Sequence, residues 1–222
     1  MGEAIRLENV VKMYRDGVRA LNGVSIRILQ GEHVRVCGLA GSGKTTLTRL
    51  IAGMDRPSAG QVFVLGEPVH IMTPDAAADF RNQNIGILQR NPAFLEKLTL
   101  LENVSLPLAL RSEAAATCEK KGREILKTLG LLYAAHAFPV QLSVLERHQA
   151  AIARALITQP RILLLDDFLA DIYPTEELKG NLNARCTYAD YTVVELTGAN
   201  QGLIIPDKTI QLDHGHIQEE LP

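Results

Sequence analysis

The run Gly38-Leu39-Ala40-Gly41-Ser42-Gly43-Lys44-Thr45 spells G-x-x-x-x-G-K-[ST], and its flanks decide how it must fold. His33-Val34-Arg35-Val36-Cys37 alternates polar and apolar residues and runs straight into the glycines, as a strand would. Beyond the loop, Leu47, Leu50 and Ile51 fall at helical spacing, and Gly53 is placed to stop that helix. A strand, a glycine-rich turn and a helix in that order build an anion cradle. The glycines let backbone N–H groups curl around a phosphate, and the helix N-terminus adds partial positive charge there. Lys44 would reach terminal phosphates, and the Thr45 hydroxyl would bind Mg²⁺. The bland alternative is a chance glycine turn. A random chain of this length matches the pattern in roughly one case in a hundred, before the flanking elements are considered.

Around the loop, short apolar runs alternate with helix-like stretches, which predicts an α/β fold with a largely parallel sheet. Ile162 to Leu165 reads as a strand buried on both faces, and Thr192 to Leu196 and Lys208 to Leu212 as further strands. From about Asn91 to Leu156 the pattern is mostly helical, with Ile125, Leu126 and Leu129 on one face and a helix-forming run from Ala150 to Leu156. This reads as a helical subdomain inserted between strands of the core. The 222 residues suit one large domain or one with an insertion. With 23 basic against 25 acidic residues the chain has no field for grasping nucleic acid or anionic lipid nonspecifically. No apolar run approaches the 18 or more residues of a membrane span, so no direct membrane insertion is expected. Cys37, Cys118 and Cys186 are three and widely spaced, which suggests neither a disulfide framework nor a zinc site. The start carries neither a signal peptide nor a myristoylation motif, and a cytoplasmic protein is expected.

Asp166 closes the apolar strand begun at Ile162, where a Mg²⁺-organising carboxylate belongs, and Asp167 follows it. The phosphate loop, the strand ending in Asp166, and Leu142-Ser143 before a basic, Ala-rich helix together resemble an ATP-binding-cassette (ABC) ATPase. The resemblance covers nearly the whole chain. Leu7 to Val10 and Ala20 to Ser25 look like the family's opening antiparallel strands, and Pro57 to Gly60 matches its turn after the first helix. Thr99 to Pro107, TLLENVSLP, is especially similar to the lipoprotein-release and macrolide-efflux type of exporter ATPase. The resemblance implies an α/β fold: a RecA-like P-loop NTPase core with a small antiparallel β-subdomain and an inserted helical subdomain. One nucleotide-binding domain would span 1–222, with the core in 1–90 and 157–222 and the helical part in 91–156. It also implies Mg-ATP as ligand. Tyr14 would stack on adenine. Gly38, Gly41, Ser42, Gly43, Lys44, Thr45 and Thr46 would hold the phosphates. Thr45, Gln89 and Asp166 would serve the metal, and Ser143 would face the partner's nucleotide. An ungapped alignment of Ile85 to Val104 puts Arg90, rather than Gln89, at the Q-loop position, so both stay open.

Several positions depart from the family pattern. The signature, usually Leu-Ser-Gly-Gly-Gln or -Glu, reads Leu142-Ser143-Val144-Leu145-Glu146, while Gln141 and Ala151 to Leu156 are retained. Val and Leu are expected to resist glycine's φ > 0 conformations and to fill the space where backbone meets phosphate. The catalytic glutamate position holds Asp167, one methylene short, and displacing such a group by about 1 Å can cost on the order of a hundredfold. Phe168 replaces the usual proline, Tyr173 stands where the D-loop carries aspartate, with Asp171 two residues off, and Gly198 stands where the switch histidine belongs. His214-Gly215-His216 fits the family's late β-turn. ABC ATPases pair head to tail, so a homo- or heterodimer and a membrane permease are the implied partners, at the inner face of the plasma membrane. The expected activity is ATP binding with hydrolysis weak or absent. The alternatives are a nucleotide-sensing scaffold and an active, divergent ATPase using Asp167 as base.

Overall fold

A computed structural model describes residues 2–168, 170, 191–198 and 205–221. Two sheets share one hydrophobic centre. The smaller is antiparallel, in the order β2-β1-β4, from β1 (Glu3–Met13), β2 (Arg19–Leu29) and β4 (Ala59–Val64). The larger has six strands in the order β5-β6-β7-β3-β8-β9: β5 (Ile85–Gln89), β6 (Ile162–Asp166), β7 (Thr192–Thr197), β3 (His33–Cys37), β8 (Lys208–Asp213) and β9 (His216–Leu221). Its first five strands are parallel and β9 returns antiparallel. β7 lies between β3 and β6, so the loop after β3 and the acid at the end of β6 face each other across one intervening strand, as in the RecA-like core the motifs implied.

Helix α1 (Lys44–Ile51) packs Leu47, Leu50 and Ile51 into a cluster with Val34, Val36, Ile162, Leu164, Val194 and Leu196 on one face of the large sheet. Side chains of the antiparallel sheet, among them Ile5, Leu7 and Val62, join the same cluster. The opposite face carries Leu88, Leu163, Leu165 and Val193 against α3 (Leu100–Leu110), α4 (Ala115–Thr128) and α5 (Val144–Leu156). All of β6 is buried, because alternate residues feed the two clusters. The helical stretch is as the apolar spacing predicts: Leu126 and Leu129 are core residues and Ile125 packs against them. Thr99 caps α3 in a reciprocal box with Glu102, and the buried Asn103 amide donates to the carbonyls of Leu95, Leu98 and Thr99 while its oxygen accepts from Leu95 N–H. Helix α2 (Pro74–Asn84) has no apolar stripe to announce it, since Ala77 is its one fully buried residue.

The opening strands are longer than the sequence reading had them and pair antiparallel as expected. Asp171, Tyr173 and Cys186 lie outside the described residues. Leu164 is fully buried at the centre of β6. Leu164→Ala should lower stability by about 2–5 kcal/mol, read from urea or thermal unfolding, because the flanking strands hold the cavity open.

Candidate functional site

The loop from Gly38 to Gly43 keeps its shape because main chain presses on it from two sides. A Cβ on Gly43, whose φ is +110°, would lie 2.4 Å from Ala20 O at the start of β2. A Cβ on Gly38 would meet Leu212 O of β8 and Ser42 Oγ, each at 2.4 Å. Only glycine fits at either point. Gly215, in the turn between β8 and β9, donates its N–H to Ser42 O at 3.0 Å and accepts from Asn22 N–H at 2.8 Å. Ser42 N–H closes the loop onto Leu39 O, and the buried Ser42 Oγ has no hydrogen-bond partner among the described residues. The late turn with His214 and His216 was recognisable from sequence; its grip on the loop was not.

α1 begins at Lys44, so the N–H groups of Lys44, Thr45 and Thr46 have no acceptor within the helix and point toward the cradle. The Lys44 ammonium donates to Gly38 O at 2.7 Å and Leu39 O at 3.1 Å, spanning the loop. Thr45 Oγ1 donates to Asp166 Oδ1 at 3.2 Å. The Tyr14 hydroxyl is 3.2 Å from Thr46 Oγ1, and the Lys12 ammonium lies 5.1 Å from the Tyr14 ring centre. Tyr14 therefore stands beside the mouth of the loop.

Gln89 is the parallel partner of Asp166. Alternation along β5 puts Gln89 on the side of Ile85 and Ile87, the face against which α1 packs, together with Asp166. Arg90 N–H donates to Asp166 O, which carries the chain out of the sheet one residue later. Thus Tyr14, the loop residues, Lys44, Thr45, Thr46, Gln89, Asp166 and Asp167 gather at one end of the sheet. Thr45, Asp166 and Gln89 offer oxygen donors that suit a hard divalent cation beside a polyphosphate.

Burial pushes the Asp166 carboxyl above the usual range. The Thr45 hydroxyl and the Lys44 ammonium oppose the shift, and the Asp167 charge adds to it. Asp167 sits in the left-handed region, with φ +46°. Its Oδ1 accepts from Gly198 N–H at 2.9 Å, and its Oδ2 is 3.8 Å from Lys44 Nζ. Gly198 is at the C-terminal end of β7, beside Gly38.

Ser143 stands apart, as the N-cap of α5. It exchanges hydrogen bonds with Glu146, whose other oxygen accepts from Tyr133. The Ser143 and Tyr133 hydroxyls hold the Glu146 carboxyl below its ordinary value. Val144 and Leu145 are the first two residues of the helix, and neither has positive φ. The expected conformational strain is therefore absent, because helical backbone suits any residue there. What remains is bulk: Val144 is 59% exposed at the helix start, while Leu145 leans on the core. The buried His148, one turn on, donates from Nδ1 to Val144 O and packs its ring 5.1 Å from that of Phe168, next to Asp167. That contact joins α5 to the segment after β6, and no local sequence signal marks it.

The ABC transporter family profile matches residues 21–170. The chain belongs to the ABC transporter family. Its relatives include the lipoprotein-releasing system ATP-binding protein LolD of Chromohalobacter salexigens, 34% identical over 97% of this chain and 93% of that one. Among solved structures, the ATP-binding cassette MJ0796 superposes with a TM-score of 0.89 at 30% identity, covering 97% of each chain. It was solved as a dimer in a post-hydrolysis state bound to ADP and Pi. cbiO1 from Clostridium perfringens, part of the ABC transporter complex cbiONQ, matches with a TM-score of 0.84 over 100% of this chain and 89% of that one. At 22% identity it shows the fold alone.

A carboxylate pKa raised by folding means that the folded chain holds the proton more tightly than the unfolded chain. The resulting stabilisation is complete below the ordinary carboxylate value and is lost as pH rises through the raised one. The raised proton affinity of Asp166 therefore costs the fold stability as pH rises toward neutral. Asp166→Asn should raise the thermal midpoint by a few degrees at about pH 7, with the gain shrinking at about pH 4, and should weaken Mg²⁺-dependent nucleotide binding.

Proposed function

We propose that this chain is the ATP-binding subunit of an export-type ABC transporter that binds Mg-ATP and hydrolyses it slowly. The single observation that carries the reading is the glycine-locked loop with Lys44 across it and Thr45 bonded to Asp166, in a chain that matches LolD along nearly its whole length. The loop and first-turn N–H groups would wrap the β- and γ-phosphates, and Lys44 would neutralise them. Tyr14 would stack on adenine. Thr45 and Asp166, with Gln89 as the adjoining donor, would hold Mg²⁺, which when bound neutralises charge on the phosphate oxygens. In hydrolysis a water oxygen bonds to the γ-phosphorus, the bond from phosphorus to the bridging oxygen breaks, and the water proton passes to Asp167. Slow turnover follows from the short acid at 167, the bare glycine at 198 and the bulk of Val144 at the start of α5.

The cassette would act as a pair, each phosphate loop opposite the Ser143 end of the other subunit, and dock on a membrane permease at the inner face of the plasma membrane. Among the described residues no helix is long and apolar enough to cross a membrane, so attachment would run through the permease.

Lys44→Ala should abolish or greatly weaken Mg-ATP binding by calorimetry while the fold survives; equal affinity in mutant and parent would overturn the reading. Tyr14→Ala should cost about 1–3 kcal/mol of binding, with ATP and GTP affected alike.

The remaining expectation concerns turnover. Asp167→Glu with Gly198→His should raise it only modestly, and adding Val144→Gly and Leu145→Gly should give more than the separate effects predict, because groups acting as a unit do not add. Fast turnover by the parent, lost in Lys44→Ala, would make this an active ATPase with Asp167 as its base. ATP binding with no cleavage at all would favour the nucleotide-sensing scaffold.

A further inference from the structure

The acid at 167 and the glycine at 198 are in contact. Asp167 follows the last residue of β6 with φ +46°, a conformation that Asp and Asn tolerate better than longer residues. Its own N–H is tied to Leu196 O at 2.8 Å, and its carbonyl accepts from Ala170 N–H at 3.0 Å, so its backbone is fixed from both sides. From that fixed backbone the short side chain reaches Gly198 N–H at 2.9 Å with one oxygen and stands 3.8 Å from Lys44 Nζ with the other. A glutamate starting from the same backbone would carry its carboxylate about 1.5 Å farther, past the amide.

Glycine is not required at 198 for space or for backbone freedom. A Cβ there would have Gly38 O at 3.8 Å and Asp167 Oδ1 at 3.9 Å as its nearest neighbours, which is ordinary contact. Its φ is not in the left-handed range. What position 198 supplies is its N–H.

We propose that Gly198 is the positioning residue of Asp167: its main-chain N–H holds the carboxylate across Lys44, and the two departures from the family pattern form one matched unit. The proposal rests on reading the site as one that hydrolyses ATP. It predicts that the amide at 198, and not a side chain there, sets the geometry of the acid. It also predicts that lengthening the acid by itself is harmful rather than restorative.

The first test reads the contact without nucleotide. Amide hydrogen exchange at Gly198, followed by NMR, should be slow in the parent and in Asp167→Asn, which keeps an accepting oxygen. Exchange should quicken on the order of tenfold or more in Asp167→Ala and in Asp167→Glu, the loss expected for a hydrogen bond to a charged acceptor. Equal exchange in the parent and Asp167→Ala overturns the proposal.

The second test reads its consequence. Gly198→Pro removes the N–H and should lose on the order of tenfold or more in single-turnover ATP cleavage while binding ATP with near-parental affinity. Parental turnover in Gly198→Pro, or a tenfold gain in Asp167→Glu alone, overturns the proposal. If Gly198→Pro does not fold, Asp167→Glu decides the matter with residue 198 intact. A failure of Mg-ATP binding in the parent would remove the functional reading and leave the exchange result to judge the contact on its own.

Discussion

The close approach of main chain to the phosphate loop is the constraint from which the rest of the site follows. Ala20 O on one side and Leu212 O on the other leave no room for a Cβ at Gly43 or Gly38, and the β8–β9 turn ties Ser42 and Asn22 through Gly215. A loop held by backbone on both sides has one shape. That shape starts α1 at Lys44, turns the first-turn N–H groups into the cradle and brings Thr45 onto Asp166. The antiparallel sheet contributes through β2, the C-terminal part of the large sheet through β8. Segments nearly two hundred residues apart thus fix one anion site.

The acidic side of the site obeys a different balance. Asp166 is buried beside a second carboxylate, a costly arrangement without a cation, and its proton affinity rises accordingly. In the proposed Mg-ATP site a divalent ion would offset that desolvation. Stability and the proposed metal binding would then pull in opposite directions at this residue. Asp167 is less buried and is held by the peptide of Gly198 rather than by a neighbouring side chain. At the start of α5, Ser143 uses its hydroxyl to cap the helix, and Val144 is exposed. The His148 ring packs on Phe168, so helix α5 touches the segment that follows β6.

Much of this was legible in the residues alone. The strand from His33, the glycine loop and the helix after it form a local pattern, and local patterns are what backbone sterics and apolar periodicity encode. Ile162 to Leu165 announced a doubly buried strand, and Asp166, the expected metal carboxylate at its end, lies against Thr45 of the loop. Gln89 against Arg90 was undecided from an ungapped alignment; pairing with Asp166 in the sheet places Gln89 on the loop's face. α2 escaped because a helix that buries little but Ala77 needs no apolar stripe. The strain expected at Val144 and Leu145 was misplaced: Ser143 and Glu146 form a capping box, so a helix already begins there and its backbone suits either residue.

The amino-acid sequence by itself determined the family, the order of elements and which residues have the chemistry for phosphate and metal, because those depend on spacing along the chain and on residue type. The tertiary structure decided which of those groups act together. The bond from Gly198 to Asp167 spans 31 positions, and the clamp from Gly215 to Ser42 joins the turn after β8 to the loop after β3. Neither has a local signal, for in each a main-chain N–H meets a partner distant in the chain, the Asp167 carboxylate in one case and the Ser42 carbonyl in the other. Backbone N–H and C=O groups are the same at every residue, so only the fold can say which of them meet.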